Sequence, residues 1–288
     1  MDIDTFLAQN RDKHLSELFE LLRIQSISTD VAHKADISKA AEWVKKKAED
    51  VGFENVQLLT HATVEDGNPV VVGEFIVDKN APFLTIYGHY DVQPADPVEE
   101  WKSNAFEPEI RDGKIFARGV TDNKGQFFTN LIAAEYYIKH VKDKRFNLKL
   151  CIEGEEETTG ATAEALVQDP HYKELLKTDY LYISDGPWVS KDTPTVEYAL
   201  RGIIYFDLHI RTSDRDMHSG QYGNVAMNPG NLAAYIIYKM KDIRKNVVRV
   251  PGFYKSVRKV SREEIVELNK TSATWEGIKE ETTVKAVT

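Results

Sequence analysis

The chain has a single cysteine, Cys151, among its 288 residues. One cysteine excludes an intrachain disulfide, and its place inside an apolar run predicts a buried thiol rather than a nucleophile. No apolar stretch reaches the roughly 18 residues that a membrane-spanning helix requires. The opening residues, MDIDTF, are acidic and unlike a secretory signal. From these absences we expect a reducing, cytoplasmic setting and no membrane partner.

Positive charge is also scarce. There are 37 lysines and arginines against 46 aspartates and glutamates, so the formal net charge is -9. An acidic chain repels the phosphate backbone, which argues against nucleic acid as a partner. The hydrophobic share of 42% and the charged share of 29% are those of an ordinary globular protein, long enough for one large domain or two smaller ones.

Helical and buried-strand patterns alternate along residues 1–201, which predicts an α/β layered fold around a mostly parallel sheet. The pattern changes after that point, where a strand is predicted over Ile203–Thr212 and Asn228-Pro229 predicts a helix start. We therefore expect one domain over 1–201 and an α+β module over 202–288. The predicted helices are 4–22, 37–51, 124–141, 161–166 and 171–176, and the predicted strands are 56–59, 70–77, 83–87, 115–119, 148–152 and 180–184.

Four of the predicted strands are followed closely by acidic residues or histidine. In an open α/β sheet the carboxyl ends of the strands form the edge at which sites are built. Crowded carboxylates raise one another's pKa unless a cation lies among them, so the pattern indicates either a metal site or a solvated acidic loop. The candidate ligands are His89, Asp122, Glu157 and Asp185. Their nitrogen and oxygen atoms suit zinc, manganese or cobalt.

A pair of metal ions needs a bridging carboxylate, terminal ligands and a nearby base. Asp122 is central in the set and is the natural bridge, with His89 and Asp185 on one metal and Glu157 on the other. Two further carboxylates complete the arrangement. Glu156 would act as the general base, and Asp91 would orient the imidazole of His89 from behind.

Five ordered motifs resemble the co-catalytic zinc peptidase family that includes carnosinases, cytosolic nonspecific dipeptidases, glutamate carboxypeptidases and the acetylornithine and succinyl-diaminopimelate deacylases. The dipeptidase branch is the most similar. The motifs are GHYDVQP (88–94), TDNKGQ (121–126), EGEEE (153–157), SDG (184–186) and DMHSG (216–220).

The resemblance implies the same metal ligands and the same base, and a cis peptide between Asp122 and Asn123. It implies hydrolysis of the amide bond of dipeptides or N-acyl amino acids through a metal-bridging water, with two zinc ions per site. It also implies that 202–288 begins a lid domain that forms a homodimer. From that lid His218 would reach the partner's site and stabilise the oxyanion.

One family histidine has no counterpart, because no histidine follows His218. The chain resembles the first three-fifths of a family member, so we expect impaired metal binding at Glu157 and weak or absent activity. The alternative is a catalytically incomplete relative that binds at most one metal. A plain α/β binding domain with a fortuitous acidic edge is a third possibility, which the order of the motifs disfavours.

Overall fold

The computed structural model describes residues 1–188, 194–197, 200 and 202–271. The chain divides into two compact units, Met1–Pro187 and Trp188–Thr288. The predicted domain boundary between residues 201 and 202 falls at a position outside the described residues. None of the helices in the described ranges is both long and apolar enough to span a bilayer.

The first unit alternates helices and strands. Its helices are α1 (Ile3–Leu22), α2 (Lys34–Val51), α3 (Lys124–His140), α4 (Ala161–Gln168) and α5 (Lys173–Leu176). Its strands are β1 (Glu54–Leu59), β2 (Val70–Phe75), β3 (Phe83–His89), β4 (Glu109–Arg111), β5 (Lys114–Phe116), β6 (Asn147–Glu153) and β7 (Tyr180–Ile183).

Five of these strands form the central sheet in the order β1-β2-β6-β3-β7. β2 is antiparallel to both of its neighbours, while β3 is parallel to β6 and to β7. Four of the five strands therefore point the same way. This arrangement confirms the predicted α/β fold with a mostly parallel sheet.

The core of this unit lies between the sheet and helices α2 and α3. Leu150 and Ile152 of β6 are fully buried and pack with Phe127 and Leu131 of α3. Burying a side chain of this size contributes about 1.5–3 kcal/mol. The sheet is thus fixed against α3, whose first residue, Lys124, lies two positions after the predicted ligand Asp122.

Helix ends agree with their local sequence signals. Asp2 caps α1 by accepting a hydrogen bond from the backbone N–H of Thr5 at 2.9 Å. Gly52 ends α2 in the left-handed region, with φ of +119°. In the second unit Asn228 caps the predicted helix, as expected.

The strand predicted over 115–119 is wrong as a member of the central sheet. β5 pairs with β4 in a separate two-stranded hairpin. Its turn is Asp112-Gly113, and both residues have positive φ. Asp-Gly at a two-residue turn is a strong hairpin signal, so local turn chemistry decides the pairing. Asp122 accordingly reaches the site on a loop rather than at the end of a sheet strand.

The second unit contains α6 (Ser219–Tyr222), α7 (Pro229–Met240), β8 (Lys241–Asp242), β9 (Val247–Val248) and α8 (Arg262–Thr271). The strand predicted over Ile203–Thr212 is wrong, because residues 202–212 form no strand. Ile203 and Tyr205 are 72% and 87% exposed. Among the described residues no strand pairs with this apolar segment, so nothing stabilises it in a sheet.

Candidate metal centre

Three parallel strands bring their carboxyl ends to one edge of the sheet. His89, the last residue of β3, pairs with Glu153 at the end of β6. Tyr87 of β3 pairs with Ile183 at the end of β7. Glu157 lies on the loop that follows β6, and Asp185 lies on the loop that follows β7. Because both strands neighbour β3, both loops leave the sheet next to His89.

The four predicted metal ligands lie close together. The Nε2 atom of His89 lies 3.1 Å from Asp122 Oδ1 and 3.4 Å from Asp185 Oδ2. His89, Asp122 and Glu157 each offer one ligand atom within 4.8 Å of the others. One imidazole with several carboxylates is a donor set suited to zinc, manganese or cobalt, so the residues fit a bound divalent cation.

The imidazole of His89 has a fixed orientation. Its Nδ1 lies 3.0 Å from the backbone oxygen of Asp91 and 3.3 Å from Asp91 Oδ1, and both residues are fully buried. Because both neighbours of Nδ1 are acceptors, Nδ1 carries a hydrogen and Nε2 faces the carboxylates. That is the orientation a metal-binding histidine needs.

The charges at the site perturb the titration of several groups. Burial alone would lower the pKa of His89, but its hydrogen bonds with Asp185 and Asp91 raise it to about 11. The same hydrogen bond with His89 lowers the pKa of Asp185. Without a cation the cluster therefore retains a proton, and a divalent cation would supply that positive charge instead.

The two adjacent glutamates have raised pKa values. Burial raises the pKa of Glu156, with His89 opposing the rise and Glu157 adding to it. Burial also raises that of Glu157, with Gln93 opposing the rise and Asp122 adding to it. The side chain of Glu156 lies 3.8 Å from His89 Nε2 and is 43% exposed. It is thus close to the ligands and open to a substrate.

The peptide bond between Asp122 and Asn123 is cis, as the family resemblance implied. Asn123 stands at the N-cap position of α3, but its side chain makes no cap hydrogen bond. Asn123 Oδ1 instead accepts a hydrogen bond from the backbone N–H of His89 at 3.2 Å. Its Nδ2 donates to the backbone oxygen of Ser184 at 2.7 Å. Asn123 thus links the ends of β3 and β7.

Sequence reasoning missed two side chains that support the glutamates. Gln93 Nε2 donates to Glu157 Oε2 at 2.8 Å. Glu155 is buried and accepts hydrogen bonds from the backbone N–H groups of Asn68 and Thr162 at 2.7 and 2.8 Å. Gln93 lies within the GHYDVQP motif, which was a usable signal. Nothing in the sequence marks Glu155 as different from its two acidic neighbours.

His218 belongs to the second unit, where it precedes α6. Its Nδ1 accepts a hydrogen bond from the backbone N–H of Gly220 at 3.1 Å. A neutral ring in this arrangement carries its hydrogen on Nε2, which is then free to donate. The catalytic assignment of His218 stays a prediction.

The single cysteine lies in β6 of the central sheet. Burial raises the pKa of the Cys151 thiol to about 12, the opposite of what a nucleophile needs. Cys151 is half-buried rather than buried as predicted, and the raised pKa is consistent with a thiol that is not a nucleophile.

Comparison with known proteins finds relatives that are named dipeptidases. The human protein named Beta-Ala-His dipeptidase is 33% identical over 197 residues, which are 68% of this chain and 39% of that protein. A protein of Candida albicans named Cys-Gly metallodipeptidase is 29% identical over 264 residues, 88% of this chain and 54% of its own length. The chain thus spans about two-fifths to just over half of these relatives.

A solved structure gives the same fold. The structure of the dipeptidase Dug1p from Saccharomyces cerevisiae superposes with a TM-score of 0.78 at 22% identity, covering 98% of this chain and 60% of that one. The profile of the family described as Peptidase family M20/M25/M40 matches residues 85–284. That stretch includes every predicted ligand and covers more than half of the chain. This chain therefore belongs to Peptidase family M20/M25/M40.

Proposed function

We propose that this chain is part of a metal-dependent hydrolase that cleaves the amide bond of dipeptides or N-acyl amino acids. The observation that carries the proposal is the His89 imidazole, whose Nε2 faces Asp122 and Asp185 at 3.1 and 3.4 Å with Glu156 beside them. The names of the relatives, which include a Beta-Ala-His dipeptidase and a Cys-Gly metallodipeptidase, support the dipeptide substrate class.

The ligands would hold two zinc ions, with Asp122 as the bridge, His89 and Asp185 on one ion and Glu157 on the other. Manganese or cobalt would suit the same donors. When bound, the ions supply Lewis-acid polarisation of a carbonyl and activation of water. Protein side chains would supply proton transfer and stabilisation of the oxyanion.

Glu156 is the general base of this proposal. Its carboxylate accepts the proton of the attacking water and later donates that proton to the leaving amine. Burial raises its pKa, which brings it nearer to the operating pH, where a base works best. Its partial exposure leaves room for a substrate carbonyl, while Asp91 and Gln93 keep His89 and Glu157 in place.

His218 would donate from Nε2 to the developing oxyanion, reaching the site from the lid of a second subunit in a homodimer. Mixing two inactive variants tests this assignment. If His218 acts across a dimer, Glu156→Gln mixed with His218→Ala should regain part of the wild-type turnover. No recovery in a mixture shown to form mixed dimers would contradict it.

The base is tested by turnover of a dipeptide such as β-alanyl-histidine on the zinc-loaded 288-residue chain. General-base catalysis contributes about 10²–10⁴ in rate, so Glu156→Gln should lose a factor in that range while retaining its zinc. Glu155→Gln is a poor control because Glu155 accepts two backbone hydrogen bonds that hold the loop after β6. Glu164→Gln, at an exposed position, is the matched control. A measurable wild-type turnover that Glu156→Gln retains in full would contradict the proposal.

A further inference from the structure

The connector between α1 and the following short helical turn lies against the segment that carries the metal ligand His89. Ile27 forms a parallel bridge with Val92. The backbone N–H of Val92 donates to Ser26 O at 2.9 Å, and Ser26 Oγ donates to the backbone oxygen of Tyr90 at 2.6 Å. The connector therefore runs alongside residues 90–92, joined to them by a single parallel bridge and two hydrogen bonds.

The connector is also fixed from the other side by the ammonium group of Lys124. This side chain is fully buried and donates to the backbone oxygens of Ile24 at 2.6 Å and Leu21 at 3.3 Å. These carbonyls belong to the end of α1, where the helix leaves acceptors unsatisfied. The backbone of the connector is therefore held in place independently of the side chain of Ser28.

Ser28 makes a different kind of contact from that of Ser26. Its Oγ donates to Oδ2 of Asp91 at 2.6 Å, whereas the hydroxyl of Ser26 donates to a backbone oxygen. Asp91 is completely buried, and the same Oδ2 accepts the backbone N–H of Glu157 at 3.1 Å. The other oxygen, Oδ1, faces Nδ1 of His89 at 3.3 Å.

The Asp91 carboxylate thus connects two proposed metal ligands, through the ring of His89 and the backbone of Glu157. A carboxylate can rotate about its Cβ–Cγ bond, so its orientation depends on the donors that hold it. The N–H of Glu157 is one such donor and the hydroxyl of Ser28 is the other. Because both bind Oδ2, they leave Oδ1 as a charge contact at 3.3 Å from Nδ1 of His89, beside the 3.0 Å hydrogen bond that Nδ1 makes with the backbone oxygen of Asp91.

We propose that Ser28 is a positioning residue of the metal site. Its hydroxyl fixes the Asp91 carboxylate, and through it the direction in which His89 presents Nε2 to the cation. Partners beyond the direct ligands typically change metal affinity or activity by 10–100-fold. Ser28 acts one step further out, so we expect Ser28→Ala to weaken zinc binding by about tenfold, the lower end of that range.

The test is isothermal titration calorimetry with Zn²⁺ on the whole chain, comparing Ser28→Ala with Ser26→Ala. The two variants each remove one hydroxyl bond of the same 2.6 Å length from the same connector. A role confined to holding the connector predicts equal effects. The positioning role predicts weaker zinc binding in Ser28→Ala, affinity within about twofold of wild type in Ser26→Ala, and recovery in Ser28→Thr, which keeps the hydroxyl.

A second readout follows the ligand itself. The Nδ1 proton of His89 in the ¹H–¹⁵N spectrum of the metal-free chain should shift in Ser28→Ala and return in Ser28→Thr. This measurement needs no bound metal, so it applies even to a variant of low zinc affinity. The same spectrum also shows whether each variant is folded, so a shifted His89 signal can be distinguished from unfolding.

The inference rests on the proposed metal site, and the outcomes separate the two. Failure of the wild-type chain to bind Zn²⁺ would overturn both. Wild-type binding with an unchanged affinity and an unchanged His89 signal in Ser28→Ala would overturn the positioning role alone. Equal losses in Ser26→Ala and Ser28→Ala would reduce Ser28 to a structural residue.

Discussion

Three consecutive glutamates, Glu155 to Glu157, occupy three different environments. Glu155 is buried and accepts two backbone hydrogen bonds. Glu156 has no hydrogen bond among the described residues and is 43% exposed beside His89. Glu157 is held by Gln93. Identical side chains thus differ in environment because the loop after β6 turns each toward different partners.

A second cluster of charged groups lies far from the site, between α1, α2 and α3, and affects the pH dependence of stability. His14 is buried, with Nε2 3.6 Å from Glu135 Oε2. Burial lowers the pKa of His14; Glu135 and Glu17 oppose that shift, while Lys47 and Lys13 add to it. The folded chain therefore resists protonation of this ring.

The free energy of unfolding should fall as the pH drops below about 6.5, the ordinary pKa of histidine. In that window the unfolded chain takes up a proton at His14 that the folded chain does not, and this uptake favours unfolding. Urea unfolding from pH 7.5 to 5.5 should show a smaller fall in His14→Gln than in wild type. An equal or steeper fall in the variant would contradict the assigned shift.

The sequence predicts some residues of the site well and others not at all. His89, Asp122, Glu157 and Asp185 follow apolar runs within recognisable motifs. The structure brings ligand atoms of His89, Asp122 and Glu157 within 4.8 Å of one another, and Asp185 lies 3.4 Å from His89. The role of Ser28 was not predicted, because its partner Asp91 is 63 positions away and their contact depends on how the connector pairs. Contacts of this kind depend on tertiary structure, which local patterns do not encode.

At the scale of elements, the buried strands and long helices follow from hydrophobic periodicity, and their observed bounds differ from the predicted ones by a few residues. β5 shows where periodicity fails. Its apolar residues resemble a sheet strand, but the Asp112-Gly113 turn pairs it with β4. The predicted strand over Ile203–Thr212 fails for a related reason, since a strand needs a partner that its own sequence does not supply.

The close contact between β3 and α3 requires glycine at position 88. An added Cβ on Gly88 would lie 2.6 Å from Asn123 Oδ1 and 2.7 Å from Phe127 Cβ. Overpacking of this kind costs about 1–3 kcal/mol. It would also displace Asn123, whose side chain links His89 to Ser184.

Gly88→Ala should therefore lower the free energy of unfolding by about 1–3 kcal/mol in urea titrations and weaken zinc binding as well. Gly202→Ala is the matched control, because no atom of the described residues lies within 4 Å of its added Cβ. A stability of Gly88→Ala within about 0.5 kcal/mol of wild type, the usual range for a surface change, would contradict the packing account.

At the scale of the whole molecule, the proposed ligands all lie in the first unit, Met1–Pro187. A ligand that binds only the folded state stabilises it, by about 2.7 kcal/mol at a free concentration of 100 times Kd. Zinc should therefore slow amide hydrogen exchange in the sheet and helices of that unit. Asp122→Asn should show no such effect, and protection that is equal in this variant would place the metal elsewhere.

The most direct test of the central claim is the zinc content of the chain, measured by elemental analysis after zinc loading and gel filtration. The account predicts at least one zinc per wild-type chain, the same content in Glu156→Gln, and little in Asp122→Asn. Equal zinc in wild type and Asp122→Asn, or none in a folded wild-type chain, would contradict a metal centre built on these residues.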